Sequence, residues 1–177
     1  MVIPSTIVFT VLSKDIVKIV YGYGKFDSQA IKITAECLFF YSIGLFFNNG
    51  MQILTRIFYS NKNTKDPVKF SLISIGINVI INLMLIKTMK HEGLALASSI
   101  TLGINFLQLY LTANKKYVKF DNKKIMIYLL KTIVTSIIAV LLALIFKNSF
   151  VRIAVFSVVY LILWSRTLIK GGLNEFR

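Results

Sequence analysis

The stretch Phe70-Ser71-Leu72-Ile73-Ser74-Ile75-Gly76-Ile77-Asn78-Val79-Ile80-Ile81-Asn82 decides how the rest of the chain is read. In water its isoleucines and valine would lean toward β structure. Its polar residues point elsewhere. Ser71, Ser74, Asn78 and Asn82 recur at intervals of three, four and four, which is one face of an α-helix. The surrounding block, Val68–Ile86, comes near the ~20 residues a helix needs to cross a ~30 Å hydrocarbon layer. In that layer every backbone N–H and C=O must be satisfied within the segment, and a helix does this alone.

Blocks of the same kind recur on both sides: Val2–Tyr21, Ile33–Tyr59, Gly93–Thr112, Ile125–Phe146 and Val151–Ile169. The first is interrupted by Ser13-Lys14-Asp15 and reads as a membrane helix shortened at its start. Composition agrees with a membrane solvent. Hydrophobic residues make up 56% and charged residues only 16% of the chain, against about a quarter charged in soluble domains, and mean hydropathy is +0.72. The expected fold is therefore all-α, a polytopic membrane protein with six transmembrane helices. Residues 1–112 would carry four of them, 113–124 a basic cytoplasmic loop, and 125–177 two more with a short tail.

The net charge of +14 does not mark a nucleic-acid binder, because the lysines sit in or beside the breaks between apolar blocks. Thirteen of the twenty-one Lys and Arg residues fall at one end of the alternating blocks, including Arg56, Lys62, Lys65, Lys69, Lys115, Lys116, Lys119, Lys123, Lys124 and Lys131. Eight fall at the other, among them Lys14, Lys18, Lys25, Lys87, Lys90 and Arg152. The excess of basic residues places both termini in the cytoplasm and the turns near Gly24, His91 and Asn148 outside.

Two readings stay open for the polar residues at membrane depth. Ser71, Ser74, Asn78 and Asn82 on one block, and Ser98, Thr101 and Asn105 on the next, could be glue between helices. Equally, Asn78, Asn82 and Ser98 could offer oxygens to a cation or line a passage. Asn48, Gln52, Thr55 and Arg56 share a face, with Asn49 beside them; Arg56 reads as an interface anchor or as a contact for an anionic substrate. The spacing of Ala95 and Ser99 suits close helix packing. Cys37, the single cysteine, reads as a small buried hydrophobe, and His91 as a solvated loop residue. The seven acidic residues lie mostly at block ends, and no Ser–His–Asp set, phosphate loop or zinc spacing can be assembled from the chain.

Four landmarks give the chain a family likeness: Pro4-Ser5, Tyr21-Gly22-Tyr23-Gly24-Lys25-Phe26, Phe58-Tyr59-Ser60 with Asn63-Thr64-Lys65-Asp66-Pro67-Val68-Lys69, and His91-Glu92-Gly93-Leu94-Ala95-Leu96-Ala97. In this order they resemble the C-terminal part of the MurJ (MviN) lipid II flippases, within the superfamily of multidrug and polysaccharide exporters. The family usually has Asp-Thr-Lys-Thr-Pro where this chain has Asn-Thr-Lys-Asp-Pro. The resemblance implies the last six of fourteen helices, in the bacterial cytoplasmic membrane, working by alternating access on lipid II or a related polyprenyl-pyrophosphate-linked precursor of peptidoglycan. Membrane lipids and the missing N-terminal helices would be its partners. The arginines and acidic residue thought to hold the pyrophosphate lie on early helices that this chain lacks, so the chain alone would be inactive. The last two blocks would form a groove for the lipid tail. Asn78, Asn82, the backbone near Leu94, and Ser98 align with residues through which some members bind sodium; that ion or the membrane potential would drive transport, with no other cofactor. Asn82 stands where an aspartate can occur. Two alternatives remain: a polysaccharide or drug exporter of the same superfamily, and a non-transporting membrane scaffold.

Overall fold

The computed structural model describes residues 2–22, 27–146 and 148–175, with the helix path alone for 163–175. Tyr23, Gly24, Lys25 and Phe26 of the turn motif lie outside the described residues, as do Lys147, Arg177 and the side chains of Arg166 and Lys170. Among the described residues the chain is all α-helix, as the apolar blocks require. The elements are α1 (Val2–Val11), α2 (Ser13–Tyr21), α3 (Ser28–Ser60), α4 (Lys65–Lys116), α5 (Asn122–Leu144) and α6 (Ser149–Glu175).

The helices are apportioned differently from the blocks. The first block is two short helices bent at Leu12 (φ −100°, ψ 20°). The Leu12 N–H donates to the Val8 carbonyl at 2.8 Å and the Ile16 N–H to the Leu12 carbonyl at 2.9 Å, so backbone bonding carries through the bend. The third and fourth blocks are a single 52-residue element whose backbone reverses at one residue, Lys90 (φ 48°, ψ −122°). The loop expected around His91 is replaced by this reversal. Contacts between the two arms fix their direction. Asp66 meets Lys116, Ser71 meets Asn105, and Asn78 meets Thr101. The residue sums of these pairs are nearly constant, as in antiparallel helices folded back on each other. Gly93 makes the fold possible, because a Cβ there would stand 2.8 Å from the Leu85 carbonyl oxygen on the other arm.

The turn from α3 into α4 is equally local. Lys62 takes a positive φ of 56°. The Asn63 N–H reaches back to the Phe58 carbonyl and the Lys62 N–H to the Tyr59 carbonyl, both at 3.0 Å. That is the six-to-one and five-to-two pairing that closes a helix end. The Asn63 side chain then opens the next helix, its Oδ1 accepting from the Asp66 N–H at 3.2 Å.

Small residues set the packing of α4 on α3. Ala95, Ala97 and Ser99 are buried, and the Ser99 hydroxyl donates to the Phe40 carbonyl at 2.5 Å. A Cβ at Gly44 would lie 2.8 Å from Ser99 Oγ, so the two backbones approach where neither has bulk. Toward the other end the same interface thickens into Leu54, Phe58, Leu109 and Ala113, ringed by Phe70, Phe106, Tyr110, Tyr117 and Phe120. A second core joins α5 and α6 through Ala139, Val140, Ala143, Phe156 and Tyr160, against Ile7 and Val8 of α1. Helix α1 thus packs on both α3 and α5, and α2 on both α3 and α6.

Much of the outer surface is apolar. Leu72, Leu83 and Met84 of the first α4 arm are about two-thirds exposed, and Ile145 at the end of α5 is 73% exposed. Faces like these belong against lipid or another membrane segment. Helices α3, α4 and α5 are long and apolar enough to cross a membrane among the described residues. Each arm of α4, at about 1.5 Å per residue, spans more than the ~30 Å hydrocarbon layer.

A Gly93→Ala substitution is expected to destabilise the fold by roughly 1–3 kcal/mol through overpacking against the Leu85 carbonyl. Gly76→Ala, where an added Cβ meets nothing within 4 Å, is expected to be neutral or to gain up to about 1 kcal/mol of helix propensity. Thermal unfolding in detergent compares the two. Equal melting temperatures would mean that the arms do not touch at Gly93.

Candidate functional site

Three polar arrangements stand out from the apolar frame, all around α4. The first is a seam between its arms. Asn78 Nδ2 donates to Thr101 Oγ1 at 3.1 Å, and Asn82 Nδ2 donates to Asn78 Oδ1 at 2.8 Å. Thr101 Oγ1 in turn donates to the Ala97 carbonyl of its own helix at 2.8 Å. One turn lower, Asn105 Nδ2 reaches Ser71 Oγ at 3.5 Å. The stripes read from the sequence therefore meet, with Thr101 as the link between arms. Ser98 does not join them: its hydroxyl donates to the Leu94 carbonyl at 2.9 Å.

Several oxygens of the seam are left over. Ser74 Oγ, Asn82 Oδ1, Asn105 Oδ1 and Gln108 Oε1 are buried without a protein hydrogen-bond partner. Gln108 had given no signal in the sequence beyond being polar within a block. For a cation the set converges poorly. Asn78 Oδ1 already accepts from Asn82, and the Leu94 carbonyl from Ser98, which leaves Asn82 Oδ1 as the one unengaged oxygen among the four aligned positions. No cluster of three or more His, Cys, Asp or Glu occurs among the described residues. Asn78, Asn82, Ser98 and the Leu94 carbonyl supply neutral oxygens only.

The second arrangement is an open cleft of about 490 Å³ between α3 and the first arm of α4. Gln52, Thr55 and Arg56 line it from α3, and Pro67, Val68, Ser71 and Leu72 from α4. Arg56 is exposed and forms no ion pair among the described residues. The shared face of Gln52, Thr55 and Arg56 thus opens onto one space. Asn48 and Asn49 are half-buried and outside that lining, and the Asn49 amide donates to the Leu45 carbonyl at 2.9 Å.

The third is a clamp where both arms of α4 end. Asn63 Nδ2 lies 2.8 Å from Asp66 Oδ2 and 2.7 Å from Tyr117 Oη, and Lys116 Nζ lies 2.7 Å from the same Asp66 oxygen. The Asn63-Thr64-Lys65-Asp66-Pro67 motif is therefore a helix start tied to the far end of the same helix. Thr64 and Lys65 are exposed, while Pro67 is buried in the first turn, where its missing N–H costs nothing. The motif is visible in the sequence but its partners are not, since Lys116 and Tyr117 lie some fifty residues away.

Residues 1–164 match the family model described as lipid II flippase MurJ. The probable lipid II flippase MurJ of Thermotoga maritima is 32% identical over 139 residues, covering 78% of this chain and 29% of that protein. Its counterpart in Buchnera aphidicola subsp. Baizongia pistaciae is 30% identical over 163 residues, covering 92% and 32% respectively. That of Rickettsia prowazekii is 38% identical over 115 residues, covering 65% and 23%. The chain thus spans a third or less of the length of these curated relatives. A solved structure of a lipid II flippase MurJ in an inward closed conformation is similar over 96% of this chain and 36% of its own, with a TM-score of 0.81 and 27% identity.

The seam invites a double-mutant cycle on Asn78→Leu and Thr101→Val, read by thermal unfolding in detergent. A coupling of roughly 0.6–2 kcal/mol is expected for one hydrogen bond between membrane helices. Additive effects would show that Asn78 and Thr101 do not interact.

Proposed function

The chain belongs to the lipid II flippase MurJ family and is a multi-pass bacterial membrane protein; on that premise we propose that it supplies the C-terminal part of a transporter that moves lipid II across the cytoplasmic membrane by alternating access. Two lobes would rock about a central cavity. The observation that carries the proposed need for further helices is the cleft beside α3. A pyrophosphate at membrane depth needs several converging cations, because an isolated charge there is costly, and Arg56 is the one Lys or Arg in the cleft lining. The remaining cations would come from the early helices of the assembled transporter. The partial coverage of the relatives supports the same view.

Within this reading residues 1–112 form most of a lobe and 125–177 an accessory pair whose apolar surface takes the polyprenyl tail. The exposed Leu141 and Ile145 of α5 support that role. The seam works as glue in this chain. Sodium coupling would draw on a carboxylate from elsewhere in the assembly, since Asn78, Asn82 and Ser98 provide only neutral groups.

Complementation of a strain depleted of its own flippase tests the activity. Residues 1–177 should restore growth only when co-expressed with the missing helices; rescue by the chain alone would overturn the two-lobe requirement.

The basic end, holding Lys62, Lys65, Lys115 and Lys119, faces the cytoplasm in this proposal. In a Cys37→Ala background, His91→Cys should react with an impermeant thiol reagent from outside the cell, and Thr64→Cys should not. The reverse pattern would invert the topology.

A further inference from the structure

Beside the clamp, where the two arms of α4 end, lies a second cleft that the transport reading does not use. It holds about 400 Å³ and is lined by Asp66, Lys69, Phe70, Leu111, Thr112, Lys115 and Lys116, a size within the ~300–1,000 Å³ of small-ligand sites. Its lining splits by polarity. Phe70 and Leu111 belong to the ends of the apolar stretches, whereas Lys69, Lys115 and Lys116 stand at the margin where those stretches stop. The cleft therefore straddles the boundary between hydrocarbon and headgroup layer.

The charges are not balanced. Lys116 is held by Asp66 at 2.7 Å and serves as a fixed wall. Lys69 and Lys115 are exposed, and neither forms an ion pair among the described residues. One lysine comes from each arm, and the Thr112 hydroxyl lies in the same lining. Two unspent ammonium groups and a hydroxyl above an apolar floor suit an amphipathic anion with its charge at the headgroup and its chains below. A basic recess between membrane helices at the interface has this electrostatic logic.

We propose that this cleft is a binding site for the phosphodiester headgroup of an anionic phospholipid, which bridges Lys69 and Lys115 and so ties the two arms of α4 together at the end opposite Lys90. The site is separate from the cleft that holds Arg56, and the inference does not rest on the transport reading. The bound lipid acts in parallel with the Asp66–Lys116 pair, so the hairpin should be held more firmly in an anionic membrane than in a zwitterionic one.

Native mass spectrometry of the full 177-residue chain in detergent, titrated with dioleoyl phosphatidylglycerol or dioleoyl phosphatidylcholine, tests this. The phosphatidylglycerol should bind more tightly. At about one kcal/mol per lysine near an anionic headgroup, its affinity should fall about fivefold for Lys69→Gln or Lys115→Gln and about twenty-five-fold for both. Lys69→Arg with Lys115→Arg should keep the affinity, which separates loss of charge from loss of fold. Lys62→Gln with Lys119→Gln removes the same net charge from outside the cleft and should leave binding unchanged. An equal loss in that control would overturn the site in favour of general attraction by the basic end. Displacement of the lipid by glycerol 3-phosphate at matching concentration would also overturn it, because the apolar floor would then contribute nothing.

Discussion

A hydrocarbon layer gives a polar atom no water to bond to, and an unsatisfied group there costs several kcal/mol. Most of the arrangement of this chain follows from where its hydroxyls and amides find partners. Many hydroxyls manage alone: Thr6, Thr10, Ser42, Thr55, Thr132 and Ser136 each donate to the carbonyl four residues back on their own helix. An amide has more bonding capacity than its own helix can absorb. Asn78 and Asn105 find partners on a second helix, which α4 provides by folding back on itself. Of the five buried oxygens still left over among the described residues, those on Ser74, Asn82, Asn105 and Gln108 lie in that element, and the fifth is the Tyr160 hydroxyl of α6. The hairpin thus concentrates both the polar bonding and the residual polar demand of the fold.

The molecule is fastened in two places, each by an ion pair set among hydrogen bonds. At the end where α4 starts and stops, Asn63, Asp66, Lys116 and Tyr117 form one bonded cluster close to the Phe58 and Leu109 core. The second fastening centres on Asp15. Arg152 Nη1 donates to Asp15 Oδ2 at 2.9 Å, Ser149 Oγ to Asp15 Oδ1 at 2.6 Å, and Arg152 Nε to the Phe146 carbonyl at 2.6 Å. Asp15 thereby holds the start of α6 to α2, while Arg152 also caps the chain leaving α5. The α5–α6 pair is attached to the rest mainly through α1 and α2, which leaves it a distinct unit on the side of the bundle.

Fold class was legible because bilayer thickness and backbone bonding leave few choices, and the six apolar blocks carry that information without ambiguity. The family likeness was legible in the Asn63–Lys69 motif and its neighbours. What remained hidden was long-range pairing. Nothing near Asn63 announces Tyr117, and nothing near Asp15 announces Arg152, because such partners are chosen by topology rather than by local pattern. The Lys90 reversal was also hidden. A positive φ at the tip of a hairpin usually signals glycine, and here a lysine takes the position. Lysine at Lys62 does the same at the opposite end. Both positions lie at the margin of the apolar segments, where a long cationic side chain suits the water boundary, and conformational preference gave way to that requirement. Asn49 shows the converse limit: a polar residue at membrane depth need not face a cavity if a carbonyl of its own helix accepts from it.

The single-residue reversal at Lys90 bears on how this protein is made. With no loop to separate them, the arms of α4 lie side by side from the turn onward. A first arm alone would present Ser74, Asn78 and Asn82 to hydrocarbon, and a second arm alone Thr101 and Asn105. Paired, they hide much of that polarity from the lipid that each would otherwise meet. Entry of these 52 residues into the bilayer as a hairpin would spare each arm that exposure.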